Sequence, residues 1–234
     1  MNSDKIFSVF YENIDKNNES INNIYNLVIN TKSKETIVVE GNYCMYNEDE
    51  HFNKSLNKKI ANLLWCIKIL PSNNLNICEI GFNAGHSSSL IGNALGDKTY
   101  NFYIFDLAEH IYTKPCFELF KKTFKNDNNN IYFIEGNSII TIPQFINENR
   151  IGTFDFIHID GGHSKECIDN DFKYADILIK NNGIIIIDDT DYQYINDAVD
   201  FYINNNNYIE LFLLDVKNFI HPHRIIQKKN DLII

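Results

Sequence analysis

Five near-continuous apolar runs, at residues 76–81, 101–106, 131–136, 154–160 and 183–189, constrain the fold of this chain more than any other feature. They lack the every-other-residue polarity of a strand with one wet face. Runs of this length and character are strands buried on both sides, as in a parallel sheet. Helical patterning fills the gaps, over 85–95, 115–125, 139–149 and 164–180, with a further helix over 194–202. In 164–180, Cys167, Ile168, Phe172, Ala175 and Leu178 share one side; Ser164 can cap the start and Gly183 can follow the end. Two late segments, 208–214 and 224–227, form a closing strand pair. Repeated strand–helix steps of this kind predict an α/β fold with a doubly wound sheet and ligands at the carboxyl ends of its strands.

The whole pattern predicts a Rossmann-like, mostly parallel seven-stranded sheet with an antiparallel edge strand. Upstream of it, Ile21, Ile24, Tyr25 and Val28 keep helical spacing, and 37–46 is a short apolar stretch. A helix over 57–70 carries Ile60, Leu63, Leu64, Ile67 and Ile69 on a broad apolar face, and Pro71 stops it. Residues 1–70 therefore read as a helical N-terminal cap and 71–234 as the Rossmann-like core.

The charge balance narrows the partners. Among 234 residues the formal net charge is −10. Such a surface repels phosphate backbones and anionic lipid, so neither nucleic acid nor membrane is expected as a partner. The basic pairs Lys58-Lys59 and Lys228-Lys229 read as solvated surface. Cys44, Cys66, Cys78, Cys116 and Cys167 form no CxxC pair and are odd in number, which predicts reduced thiols in a cytoplasmic compartment. The first residues, Met1-Asn-Ser-Asp-Lys5, open no signal-like apolar run, and no stretch has the 18 apolar residues of a bilayer span. Self-association is left open.

Glu79-Ile-Gly-Phe-Asn-Ala-Gly85 stands where the first strand hands over to a helix. Gly81 permits a tight turn, Asn83 tolerates a left-handed backbone, and Gly85 lets the helix begin close to a ligand. A pyrophosphate-binding turn would carry GxGxxG. The spacing here is GxxxG, which favours a nucleoside cofactor without pyrophosphate, such as S-adenosylmethionine. Asp106, ending the second strand, can accept ribose hydroxyls. Asn137 and Ser138, after the third, can border the adenine. Plain capping is the alternative for all three.

Asp160 ends the fourth strand and Asp188-Asp189 the fifth. If those strands are neighbours, the carboxylates converge across about 5 Å. Like charges that close raise one another's pKa, and a divalent cation relieves them. An all-oxygen set favours Mg²⁺, Mn²⁺ or Ca²⁺. His163, past Gly161-Gly162, can take a proton from a bound hydroxyl, so His163 and Asp160 are the candidate catalytic residues. A loop-capping aspartate pair and a structural histidine are the alternatives. His158, two positions before Asp160, is expected in the core or behind the site. His86 opens the cofactor helix and neighbours the ligand. His51, His110, His221 and His223 have no motif around them.

At these residues the chain resembles class I S-adenosylmethionine-dependent methyltransferases, and most of all the macrocin and mycinamicin type of sugar O-methyltransferase. The resemblance runs over residues 75–190 and is carried by Glu79-Ile-Gly-Phe-Asn-Ala-Gly-His-Ser87, Phe154-Asp-Phe-Ile-His-Ile-Asp-Gly-Gly-His-Ser164 and Gly183-Ile-Ile-Ile-Ile-Asp-Asp189. It implies that the methionine part of the cofactor lies on Glu79, Gly81 and their neighbours Phe82, Asn83, Gly85, His86 and Ser87, with the ribose on Asp106. It implies Mg²⁺ on Asp160, Asp188 and Asp189, with His163 as base. It also implies that the N-terminal cap, residues 1–70, contributes to an acceptor pocket. Where the family often has an acidic residue, this chain has Asn137. The implied reaction is metal-assisted methyl transfer to the hydroxyl of a small acceptor: a sugar, nucleotide-sugar or glycoside. A catechol-type phenol is the nearest competitor. A nicotinamide-dependent oxidoreductase would reuse the topology but leaves the glycine spacing and the acidic residues unexplained. A non-catalytic binding module has no use for the intact Asp160, His163, Asp188 and Asp189.

Overall fold

The computed structural model describes residues 2–32, 50–71, 73–146, 151–205 and 208–230. The apolar stretch 37–46 with its Cys44, and the end of the helix expected over 139–149, lie outside them. Two helices come first, α1 (Ser3–Lys32) and α2 (Glu50–Lys68). Strand and helix then alternate: β1 (Leu75–Ile80), α3 (His86–Leu95), β2 (Tyr100–Asp106), α4 (Thr113–Phe124), β3 (Asn129–Glu135), α5 (Ser138–Ile146), β4 (Phe154–Ile159), α6 (Lys165–Leu178), β5 (Ile179–Ile187) and α7 (Gln193–Asn205). The short β6 (Tyr208–Glu210) and β7 (Arg224–Lys228) close the described chain.

One seven-stranded sheet results, in the order β3-β2-β1-β4-β5-β7-β6. β7 runs antiparallel to both β5 and β6, and the other pairs are parallel. The alternation of side chains sorts the core into two layers. From β1, Leu75 and Ile77 join the layer that holds α1, α2, α3 and α4, whereas Cys78 and Ile80 join the layer of α5, α6 and α7. α1 and α2 contribute Ile6, Val9, Leu56, Leu64 and Ile67 to the first layer, so they share its core with the sheet.

The expected strands sit within a few residues of the observed ones, with two differences. β5 begins at Ile179, where Gly183 was expected. Ile179 pairs with Phe154 and Ile184 with Phe156, so the residues between them bulge out of register. The local Asn181-Asn182-Gly183 sequence reads as a turn and instead forms this bulge. β6 is also shorter than the 208–214 expected.

Strand order decides where a ligand can sit. β1 connects outward to β2 on one side, while its other neighbour is β4. This is the point at which a doubly wound sheet reverses direction and opens a crevice beyond its strand ends. The backbone ladder runs to that edge: Gly81 N–H donates to Phe105 O (2.8 Å), Asp160 N–H to Ile80 O (2.8 Å) and Asp188 N–H to Ile159 O (3.0 Å). The glycine-bearing turn, Asp160 and Asp188 are thereby held in one row.

Candidate active site

The turn after β1 depends on its glycines. Gly81 has φ +95°, and a Cβ there would lie 1.9 Å from the Asp160 carbonyl oxygen. Any side chain would push the two strand ends apart. Gly85, at φ +81°, precedes α3 without a side-chain cap, and the Phe82 ring fills the space its Cβ would need. Asn83 takes the left-handed conformation expected of it (φ +51°), and Tyr112 donates its hydroxyl to Asn83 Oδ1 (2.7 Å).

Asp106 ties this turn down. Its Oδ2 accepts the N–H groups of Phe82 (2.7 Å) and Asn83 (2.9 Å), and its Oδ1 accepts that of Ala108 (2.6 Å). Those two loop amides are therefore occupied within the protein. Phe82 turns inward, edge-on to Phe117, Phe120 and Phe133. Anion-binding capacity remains at the start of α3, where Ser87 and Ser88 are first-turn residues whose N–H groups have no intrahelical acceptor.

Glu79 is fully buried beneath the turn. Ser88 donates its hydroxyl to Oε2, and His158 Nδ1 lies 2.9 Å from Oε1. Burial lowers the pKa of His158, but the hydrogen bond and charge of Glu79 outweigh it, and the net shift is upward. His86 shifts the other way. Burial pushes it down to about 4, and it is neutral at physiological pH. On the far side of the crevice, Asn137 caps α5 through its side chain, with Ile139 N–H donating to Oδ1 (3.0 Å), and Ser138 opens that helix.

The register brings Ile159 beside Ile187, so Asp160 and Asp188 start from adjacent points. Ligand atoms from His158, Asp160 and Asp188 lie within 4.8 Å of one another, as do those of Asp160, His163 and Asp189. Asp160 is shared by both groups. Burial and the charges of Asp188 and Asp189 push its carboxyl up to about 8, with His158 and Lys59 pulling the other way. His163 Nε2 is 2.5 Å from Asp189 Oδ2, and that hydrogen bond raises the imidazole's pKa. Its backbone carbonyl accepts the Tyr194 hydroxyl.

Two residues in this cluster escaped the sequence reading. Lys59 is buried at 3% exposure, not on the surface as its position in a basic pair suggested. Its Nζ lies 2.6 Å from Asp188 Oδ1 and donates to His221 O (2.7 Å). The signal was available: Lys59 falls three residues after Leu56 and four before Leu63, inside the buried stripe of α2. His221, 2.8 Å through Nδ1 from Asp189 Oδ1, had none, because it comes from the long connection between β6 and β7.

That connection also walls a cleft of about 590 Å³ at the same carboxyl edge of the sheet. Its rim includes Thr190 and Asp191, directly after the aspartate pair, and it runs along 210–217 to Arg224. Arg224 is held by Glu210 (2.8 and 2.7 Å) and Asp200 (2.7 Å). Four acidic side chains (Asp191, Asp200, Glu210, Asp215) face two basic ones (Lys217, Arg224), leaving two negative charges in excess.

A divalent cation suits this donor set. Three carboxylates bring three negative charges and Lys59 one positive. The carboxylates outnumber the ammonium, and a divalent ion relieves that excess. The elevated Asp160 pKa is the electrostatic sign of that excess.

Residues 78–190 match the family described as a methyltransferase domain. Comparison with curated proteins gives no match. Among solved structures the chain is similar to cofactor-bound Rv0187 from MTB, at 12% identity over 91% of each chain with a TM-score of 0.58. It is similar to the SAH-bound Podospora anserina methyltransferase PaMTH1, at 15% identity over 88% of each chain with a TM-score of 0.56. A third is the O-methyltransferase TomG from Streptomyces achromogenes, solved with SAM, at 14% identity over 79% of this chain and 92% of that one, with a TM-score of 0.51. Residues 78–190 are thus similar to a methyltransferase-domain family, and the chain has the Rossmann-like fold of solved methyltransferases.

Proposed function

We propose that this chain is an S-adenosylmethionine-dependent O-methyltransferase that acts, with a divalent metal such as Mg²⁺, on a hydroxyl of a sugar or glycoside. The observation that carries the reading is the close approach of Gly81 to the Asp160 backbone, which sets a cofactor-type turn against the end of the strand bearing the acidic cluster. The likeness to structures solved with SAM or SAH supports the cofactor.

Bound at this turn, the cofactor would supply a methyl group on a positively charged sulfur. Its amino-acid carboxylate suits the start of α3 at Ser87 and Ser88, since Asp106 occupies the amides of Phe82 and Asn83. Asp106 and Glu79 then act chiefly by holding the turn rigid. Asp160, Asp188 and Asp189 would hold the metal, which lowers the pKa of an acceptor hydroxyl. His163 Nδ1 takes the hydroxyl proton, while Asp189 keeps Nε2 protonated and stabilises the imidazolium. The fixed placement of acceptor and base contributes the rest of the rate.

We place the acceptor in the cleft that adjoins the aspartate pair at Thr190 and Asp191, whose lining does not itself include Asp160, His163, Asp188 or Asp189, and there a glycoside fits better than the other acceptors considered. Its excess of two negative charges disfavours the diphosphate of a nucleotide-sugar. Phe212, the one Phe, Tyr or Trp among the described lining residues, gives a phenol little to stack on, whereas Asn196, Thr190 and the carboxylates offer polar partners for hydroxyls. Calorimetry with S-adenosylmethionine, with and without Mg²⁺, tests the cofactor; the absence of binding in both would remove it. With an acceptor in hand, His163→Ala should cost about 10²–10⁴ in kcat. A near-normal rate would reduce His163 to scaffold.

A further inference from the structure

We propose that Lys59 is a resident cation of the acidic cluster, set by α2 to hold one oxygen of Asp188 and to weaken the cluster's grip on a divalent ion. The proposal rests on the metal reading above and concerns a residue outside the matched 78–190 segment. Lys59 has no route to solvent-like screening. It is buried, and its Nζ is fixed on one side by Asp188 Oδ1 (2.6 Å) and on the other by the His221 carbonyl (2.7 Å). α2 itself cannot drift. Three residues further on, Asn62 donates to Leu214 O (2.9 Å), accepts from Leu214 N–H (2.9 Å) and meets His223 Nε2 (3.0 Å). Both anchors lie in the connection between β6 and β7, so one helix face pins that connection and delivers a charge to the cluster.

The consequence follows from Coulomb's law. An ion held by Asp160, Asp188 and Asp189 sits beside a fixed positive charge, and the repulsion is weakly screened in a buried site. Lys59 also occupies Asp188 Oδ1, which leaves Oδ2 as that residue's open ligand atom. The cluster therefore takes up a divalent ion more weakly than three carboxylates would. In exchange, its carboxylates stay gathered when no ion is bound.

The experiment is Mn²⁺ binding, read by calorimetry and by the electron paramagnetic resonance of free Mn²⁺, for the unmodified protein, Lys59→Met and Lys59→Arg. Lys59→Met should bind Mn²⁺ at least about 10-fold more tightly, and Lys59→Arg, which keeps the charge, within a few-fold of the unmodified protein. Equal or weaker binding by a folded Lys59→Met overturns the proposal alone, with the metal reading intact. No binding by any of the three overturns the metal reading and this proposal together. Should Lys59→Met fold only when Mn²⁺ is present and melt on chelation, the ion has replaced the ammonium, as proposed. A Lys59→Met that stays unfolded even with Mn²⁺ makes Lys59 a packing element and overturns it.

Discussion

Two buried polar regions lie side by side at the sheet's carboxyl edge, and their carboxylates are treated in opposite ways. Beneath the cofactor turn, Glu79 receives Ser88 and His158, while Asp106 receives three backbone N–H groups. Every oxygen there has a donor, and the result is a stiff loop. One strand over, Asp160, Asp188 and Asp189 crowd together: Lys59 holds Asp188, His163 and His221 hold Asp189, and Asp160 carries the strain. Satisfied polar groups define shape, whereas uncompensated ones store the electrostatic stress that a cation or a reacting proton can relieve. His158 stands on the boundary, bonded to Glu79 and within 4.8 Å of Asp160 and Asp188. The stiff region thereby also steadies the stressed one.

The sharpest way to break the contrast is to remove the stressed carboxylate. Asp160→Ala should lose roughly 10³–10⁴ in kcat, the several kcal/mol that a metal contributes to transition-state charge. Its melting temperature should not fall, because Asp160 adds repulsion to the free protein rather than a bond. Turnover that stays normal and indifferent to a chelator would end the metal reading. A lowered melting temperature would place Asp160 with the satisfied residues instead.

Removing the satisfied carboxylate should do the reverse. Glu79→Ala strands His158 in the core and leaves the Ser88 hydroxyl without its acceptor. Loss of one partner of a buried charged pair costs about 3–5 kcal/mol, to be read from urea unfolding. Glu79→Gln keeps an acceptor for Ser88 but not the charge, and should cost about 1–2 kcal/mol. Unfolding curves that overlay the unmodified protein's would show that the network under the turn is ornamental.

How much of this was legible in the sequence follows from the range of the interactions. The strands announced themselves because burial on both faces writes an unbroken apolar run. The positions of Asp160, His163, Asp188 and Asp189 followed, since a strand end is local information. The bulge in β5 did not, because Asn181-Asn182-Gly183 obeys the rules of a turn until Ile179 finds Phe154. Nor did the inward use of Glu79 and Asp106. A carboxylate at a strand end looks the same in sequence whether or not it also ties down its own loop. Lys59 meeting His221 spans 162 positions, and only the helical stripe around Lys59 hinted at its burial.

Asp171, a carboxylate from α6, tests whether burial alone makes a group functional. It is completely enclosed beneath Gly161; Asn170 donates to Oδ1 (3.2 Å), and Oδ2 has no partner among the described residues. Burial pushes its carboxyl up to about 6, against which hydrogen bonds from Ser138 and Asn170 act only in part. Unlike Asp160, it owes this shift to no neighbouring aspartate. The folded protein thus holds the proton up to about pH 6, while the unfolded chain releases it near 3.8. Stability from this group is complete below pH 4 and falls as the pH rises through 6. Asp171→Asn should therefore gain roughly 2–3 kcal/mol at pH 8 and nothing at pH 4, read from paired unfolding curves. Its kcat should stay within a few-fold of the unmodified protein's, because no second charge shares the stress. A gain that persists at pH 4 would trace it to packing rather than ionisation. A large loss of turnover would move Asp171 into the working cluster and erase the distinction between a carboxylate that is merely buried and one opposed by its neighbours.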